Sequence, residues 1–194
     1  MHTINILNLR CRDERNELSA SEEIYALVTS VKLSPLFPGI PPIPSFDVFR
    51  YGVWENFDEG ETKSNTGPPF WGLTSTPEQI LNRNDVIFVV TLMENDHGDP
   101  NQYRSLVKLV ATSSLASTLT LPRAAKVTSL VRDITDALNG VRLPIPFALD
   151  DDHIRTLELR LRTDDLITTG TRNRRLEFRS SEGFYDVNFS ITAS

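Results

Sequence analysis

Carboxylate side chains are concentrated in three connections of this sequence, and connections rich in oxygen ligands are where hard cations bind. Three acids, Glu94, Asp96 and Asp99, directly follow an apolar strand, and the other two groups are Asp58, Glu59 and Glu61, and Asp150, Asp151 and Asp152. Calcium takes about six to eight oxygen ligands, mostly carboxylates and carbonyls of flexible loops. If the three connections meet at one end of the fold, the sequence predicts a calcium site there, with these acids as candidate ligands.

The same acids also have ordinary structural explanations. Asp99 precedes Pro100, which makes it the predicted N-cap of a helix. Asp96 and Gly98 are residue types that turns commonly use. A solvated acidic surface therefore stays open as the alternative to a cation site.

The apolar strand followed by Glu94, Asp96 and Asp99 resembles the calcium loop of the C-two family. The segment from Glu22 to Val28 is similar to that family's acidic residue followed by a strand that contains tyrosine. Members of the family are β-sandwich domains that bind calcium, phospholipid or protein partners through loops at one end. The resemblance implies a sandwich with calcium as its cofactor, and it implies a membrane surface as partner only when calcium is bound.

Large aromatic residues in Gly- and Pro-rich connections form a second candidate site. They are Trp54, Phe70 and Trp71. Exposed aromatic rings beside acids and amides are what carbohydrate-binding proteins use for stacking, so a sugar ligand is one expectation. The alternative is that these rings fold back and seal the core. The neighbours of His97 and His153 are aspartates, and we interpret both histidines as titrating surface residues.

The charge of the chain is unevenly distributed. The 194 residues carry a formal net charge of −6, which argues against nucleic acid as a partner. Residues 44–99 contain ten acids against three bases, whereas residues 155–179 contain seven arginines against four acids. One part of the surface is therefore expected to have a strongly negative potential.

Several chemistries lack their sequence motifs. Cys11 is the single cysteine, so neither an intrachain disulfide nor a thiolate metal cluster can form from this chain. The sequence contains no nucleophile elbow, P-loop, dinucleotide glycine motif or paired zinc ligands. These absences favour a binding protein over an enzyme.

Apolar patterns predict seven strands. They cover residues 3–11, 23–33, 46–51, 85–93, 156–162, 175–179 and 185–191. The second and fourth are apolar on both faces, which is typical of central strands. Residues 34–45 form a predicted proline-rich extended loop, and residues 52–77 a long irregular stretch.

Two helices separate the fourth strand from the fifth. The first opens at Asp99-Pro100, and the second starts near Pro122 and stops at Gly140. We expect a single domain over residues 1–194, mainly β: an antiparallel β-sandwich with a two-helix hairpin inserted at about residues 99–140. An open α+β sheet with the helices on one side is the alternative.

The leading functional interpretation is a non-enzymatic binding or interaction module that uses calcium through its acidic loops and takes a protein or carbohydrate ligand. A hydrolase with an acidic cleft lined by tryptophan is one alternative, and a structural subunit of an assembly is another. The oligomeric state is left open. The N-terminus lacks the pattern of a secretory signal, so the cytoplasm is the expected compartment.

Overall fold

The computed structural model describes residues 1–14, 23–33, 44–71, 78–96, 98–140, 151–181 and 183–194. Within these ranges the fold is mainly β, with two four-stranded sheets and two α-helices. The strands are β1 (His2–Glu14), β2 (Ile24–Lys32), β3 (Ser45–Trp54), β4 (Thr62–Ser64), β5 (Val86–Glu94), β6 (His153–Glu158), β7 (Gly170–Arg179) and β8 (Gly183–Ala193). The helices are α1 (Pro100–Ser117) and α2 (Arg123–Leu138), and short 3-10 turns cover Arg83–Asp85 and Thr163–Asp165.

Both sheets are antiparallel. The first has the order β4-β1-β8-β7 and the second the order β3-β2-β5-β6. β2 and β5 therefore lie at the centre of the second sheet, as their two apolar faces predict, and β5 is buried along its whole length. The register of β1 shifts between Ile6 and Asn8, where the change of apolar parity predicts a bulge.

Alternation along β2 explains why the molecule has two apolar clusters. Ile24, Ala26 and Val28 belong to a cluster that also takes residues from the first sheet, such as Ile6 and Phe189. Tyr25, Leu27 and Val31 point to the opposite face and belong to a second cluster, which takes residues from both helices. Because side chains alternate with a period of two, one strand serves both clusters.

The helices cover the face of the second sheet that Tyr25 occupies. The buried side of α1 includes Tyr103, Val107 and Ala111, and that of α2 includes Leu130 and Ile134. Asp99 is the N-cap of α1, as predicted, and accepts a hydrogen bond from Asn101 N at 2.9 Å. Gly140, with φ of 71°, follows α2 at the predicted stop.

Three strands differ most from the sequence prediction. β4 lies inside the stretch 52–77 that was expected to be irregular, because its three residues pair with β1 although they lack an apolar pattern. β7 begins at Gly170, five residues before the predicted start, because exposed polar residues there pair with β8. β6 begins at His153 and its ladder ends at Glu158. Most of the predicted proline-rich loop lies outside the described residues.

Candidate functional site

Two of the three acidic connections lie side by side. Glu94 and Asp152 exchange both backbone hydrogen bonds, Glu94 N to Asp152 O at 2.9 Å and Asp152 N to Glu94 O at 3.1 Å. This pairing places the turn after β5 next to the segment that precedes β6. Asp96 and Asp152 are exposed, whereas Glu94 is buried. Asp150 and His97 lie outside the described residues.

The carboxylate of Asp151 is held by protein donors. Gly98 N donates to Oδ1 at 2.7 Å and the Tyr25 hydroxyl donates to Oδ2 at 3.0 Å, while Asp151 N donates to Tyr103 Oη at 2.8 Å. Burial, with the Asp151 carboxylate as the second cause, raises the pKa of Tyr25, so the phenol stays a donor. A Cβ atom at Gly98 would lie 2.5 Å from Asp151 Oδ1, so this approach requires glycine. Asp151 therefore ties the acidic turn to β2 and α1.

The third acidic connection is attached to the first sheet. Gly60 N donates to Cys11 O, and Cys11 N donates to Glu61 O, both at 3.1 Å. A hydrogen bond from Lys63, whose Nζ lies 2.8 Å from Glu61 Oε2, lowers the pKa of Glu61. Asp58 and Glu59 are exposed beside it. This connection is therefore attached to β1 and β4 through Gly60 and Glu61, whereas Glu94 and Asp151 lie at the second sheet.

No three His, Cys, Asp or Glu side chains within the described ranges come close enough together to hold a metal ion. Asp99 caps α1, and Asp151 accepts hydrogen bonds from Tyr25 and Gly98. Both carboxylates therefore have a structural role that requires no cation. The calcium site stays a prediction, since Asp150 is not described.

The aromatic residues predicted to stack on a sugar lie in the core. Phe70 is fully buried, Trp71 is 3% exposed and Trp54 is 9% exposed. The Phe70 ring packs edge-on against Phe88 and Phe189, and Trp71 Nε1 donates to Glu78 O at 2.8 Å. Their rings therefore seal the core, which is the alternative that sequence reasoning left open.

His153, interpreted from the sequence as a titrating surface residue, instead lies half-buried in a polar cluster at the start of β6. His153 Nε2 lies 2.9 Å from Thr156 Oγ1, and its Nδ1 lies 3.1 Å from Asn139 Oδ1. A hydroxyl beside an imidazole that a third polar group orients is also the arrangement that activates a nucleophile in some enzymes. Burial, however, lowers the pKa of His153 to about 4, which makes it a weak base at neutral pH. Thr156 is buried and also bonded to Thr91 Oγ1 at 3.0 Å, so we assign the cluster to the fold.

A groove of about 540 Å³ lies between residues of the segment 158–162 and residues of β7. It is called here the arginine groove, and its lining consists of Arg83, Glu158, Leu159, Arg160, Leu161, Arg162, Arg174, Arg175 and Leu176. Among the described strands, β6 and β7 are at the edges of the second and the first sheet, so the groove borders an edge strand of each. The buried leucines Leu159 and Leu161 anchor the segment that carries Arg160 and Arg162 outward.

The groove carries positive charge that the fold does not neutralise. Arg174 is paired with the buried Asp165 at 3.1 Å, and Glu158 is paired with Arg123 at 2.7 Å. The exposed Arg175 lies 2.9 Å from Glu177. Arg83, Arg160 and Arg162, in contrast, form no ion pair with any carboxylate in the described part of the chain. Three arginines thus line the groove without an anionic partner from these residues.

A sequence feature that could have indicated this groove was the excess of arginine between residues 155 and 179. The acids indicated a hard cation instead, because they are grouped in three connections of the sequence. The sequence pattern alone did not indicate the groove. The groove forms only because β5 pairs with β6 and β7 pairs with β8, and these pairings bring residues from distant positions together.

Comparison with known proteins identifies no relative. No family model matches the chain, and no curated protein and no solved structure shows significant similarity to it. None of the helices formed by the described residues is long and apolar enough to span a membrane.

Proposed function

We propose that this chain is a non-enzymatic binding module that holds an anionic ligand in the arginine groove. The observation that carries the proposal is the convergence of Arg83, Arg160 and Arg162 on a groove of about 540 Å³ with no carboxylate partner among the described residues. Guanidinium groups stay charged at all physiological pH values, and their planar donors match carboxylate and phosphate oxygens. Like charges held close together repel, and a bound anion removes that repulsion.

A sandwich arrangement of the two sheets belongs to the same proposal. It is supported by Phe70, whose ring centroid lies 5.5 Å from that of Phe88 in the second sheet and 6.1 Å from that of Phe189 in the first. Sheets packed in this way hold their edge strands at a fixed separation. The arginine groove then has a rigid frame, which reduces the entropy lost when a ligand binds.

The composition of the groove favours binding over catalysis. Its lining consists of arginine, leucine and one carboxylate, Glu158, which is engaged by Arg123. General acid–base catalysis needs a group that exchanges protons near neutral pH, and arginine does not. Neither Trp54 nor Trp71 lines the groove, so a tryptophan-lined hydrolytic cleft does not coincide with it.

Binding of two anionic probes tests the proposal. We expect a fluorescein-labelled octapeptide of glutamate to bind, with an affinity that falls as the salt concentration rises, and inorganic tripolyphosphate to compete with it. The double variant Arg160→Gln/Arg162→Gln should weaken both at least about tenfold, a loss of about 1.4 kcal/mol. The matched control is Lys108→Gln/Arg132→Gln, which removes the same charge from exposed positions on the helices.

The control should bind as the parent does. Equal weakening in both double variants would mean that net charge alone attracts the probes, and absence of binding at millimolar probe would remove the proposed function. Melting temperatures of all variants establish that each is folded.

A further inference from the structure

The free edge of β7 runs beside the arginine groove. β7 pairs with β8 from Gly170 to Arg179, and no other strand formed by the described residues pairs with its second edge. On its other side, the described residues provide one hydrogen bond, from Arg155 Nη1 to Arg179 O at 3.0 Å. An edge strand presents N–H and C=O groups at alternate residues, and these can pair with another extended chain.

Positive charge is distributed along this edge rather than gathered at one point. Arg172, Arg174, Arg175 and Arg179 lie on β7, and Gly170–Asn173 are exposed. Arg174 is paired with Asp165, and Glu177 on the same strand lies 2.9 Å from Arg175 and 3.0 Å from Arg179. Four arginines and one glutamate leave the strand with a net charge of +3. The distance from Arg172 to Arg179 along an extended strand is roughly 23 Å. A single small anion would contact only one end of this row, whereas a chain of six to eight extended residues would follow all of it.

From this combination we propose that the ligand is an extended acidic peptide that adds to β7 as a further strand. The proposal rests on the proposed function and names its substrate class. Carboxylates of the peptide face arginines of β7 and of the arginine groove, and its backbone pairs with the free edge. Peptides bind open sheet edges in this way in general, with the backbone supplying affinity and the side chains specificity.

Other occupants fit the charges and surfaces less well. A second copy of this chain pairing through β7 would place arginines opposite or diagonal to arginines, which is unfavourable across strands. Single-stranded nucleic acid needs aromatic rings on which its bases stack, and the groove is lined by arginines, leucines and one glutamate. Phe184, beside the end of β7, is already covered by Arg179, whose Cζ lies 4.2 Å from the ring centroid. The partly buried Leu176 suits an apolar side chain of a peptide.

Backbone methylation tests strand addition separately from charge. The probe is a fluorescein-labelled octapeptide of alternating glutamate and threonine, made unmodified, with N-methyl groups on all glutamate amides, or with N-methyl groups on all threonine amides. Only one of the two sets of amides faces β7, because amides alternate along a strand. We expect one methylated peptide to bind at least about tenfold more weakly than the other, and Arg160→Gln/Arg162→Gln to weaken the unmodified peptide.

Hydrogen exchange gives the second measurement. The unmodified peptide should slow the exchange of amides within Gly170–Arg179, and the control variant Lys108→Gln/Arg132→Gln should show the same protection. Strand addition would be overturned if both methylated peptides bound with equal affinity. It would also be overturned if an octanucleotide of single-stranded DNA bound as tightly as the peptide. Neither result would contradict anion binding in the arginine groove. If tripolyphosphate binds and the peptide does not, the peptide assignment is wrong. If neither binds, the proposed function itself fails.

Discussion

The hydroxyl of Tyr25 donates a hydrogen bond to Asp151 Oδ2 at 3.0 Å, although 126 positions separate the two residues in the chain. Tyr25 belongs to the central strand β2, and Asp151 precedes the edge strand β6. Gly98 N and Tyr103 Oη bind the same aspartate, so the acidic turn and α1 are joined to it as well. Among the predicted cation ligands that the structure describes, the most buried is therefore an internal cross-link of the fold.

Replacing Tyr25 by phenylalanine should destabilise the protein. The substitution keeps the ring in the core but removes the donor to Asp151 Oδ2, and a buried carboxylate oxygen that loses its donor costs about 1–3 kcal/mol. Urea unfolding of Tyr25→Phe measures the loss. The control is Asp152→Asn at the exposed neighbouring carboxylate, where we expect a change of less than about 0.5 kcal/mol. Equal stability of Tyr25→Phe and the parent would contradict the cross-link.

Adding a methyl group at Gly98 tests the same contact from the other side. Its Cβ would lie 2.5 Å from Asp151 Oδ1, so Gly98→Ala must displace either the turn or the aspartate, at a cost of about 1–3 kcal/mol. In an Asp151→Ala background the carboxylate is gone and Tyr103 Cε2, 2.7 Å from the added Cβ, is the clash that remains, so the cost of Gly98→Ala should be smaller. A double-mutant cycle from urea unfolding measures this coupling. Strict additivity of the two substitutions would show that they do not share a contact.

Calcium should have little effect on thermal stability. Asp99 and Asp151 already accept hydrogen bonds from backbone and tyrosine donors, and a cation would have to replace those donors. Losing those donors weakens the binding of calcium and raises its dissociation constant. A ligand stabilises the fold only when its concentration exceeds that constant, so we expect millimolar calcium to shift the melting temperature by less than about 1 °C. A calcium-dependent rise that a chelator reverses would support the predicted acidic site instead, and magnesium serves as the control ion.

Tryptophan fluorescence distinguishes a core position from a sugar-stacking surface. Trp71 is 3% exposed and Trp54 is 9% exposed, so iodide should quench the native emission weakly and soluble sugars should leave it unchanged. The variant Trp71→Phe separates the contributions of the two rings. Strong quenching in the native state, or a sugar-dependent change in emission, would place one ring at the surface.

Local patterns in the sequence were sufficient to predict most of the elements. Apolar residues on both faces indicated that β2 and β5 are central, and Asp99-Pro100 located the start of α1. β4 was missed because Thr62–Ser64 carries no apolar pattern, and its pairing with β1 alone makes it a strand. Elements of this kind depend on a neighbour that one stretch of sequence does not reveal.

The candidate site was harder to predict because it depends on which edges meet. The sequence predicted that three acidic connections meet; two of them lie side by side at Glu94 and Asp152, and nothing in the spacing indicated that Asp151 would be bound by Tyr25. Arg160 and Arg162 alternate with leucines, and Arg174 lies between polar residues. Both patterns are typical of an ordinary half-exposed strand and do not indicate a binding site. Only the sheet order places these arginines on one groove, at the edges of two different sheets.

Acid should weaken the fold through His153. Burial lowers the pKa of His153 from 6.5 to about 4, so the folded protein favours the neutral imidazole. Well above pH 6.5 the residue is neutral in both states and contributes no pH dependence. As the pH falls from 6.5 towards 4, the unfolded chain binds a proton that the folded chain does not, and the free energy of unfolding decreases by up to roughly 3 kcal/mol.

The variant His153→Gln isolates this contribution, because carboxylates titrate in both proteins while the imidazole titrates in only one. Its side-chain amide retains one donor and one acceptor for Thr156 and Asn139. Urea unfolding between pH 4 and pH 7.5 should show a shallower loss of stability in the variant below pH 6.5, whatever its stability at neutral pH. Parallel pH dependences of the unfolding free energy in the parent and the variant would contradict the assignment. A proton resonance of His153 that titrates near pH 6.5 in the native protein would contradict it too. Both results would mean that the imidazole is accessible to water.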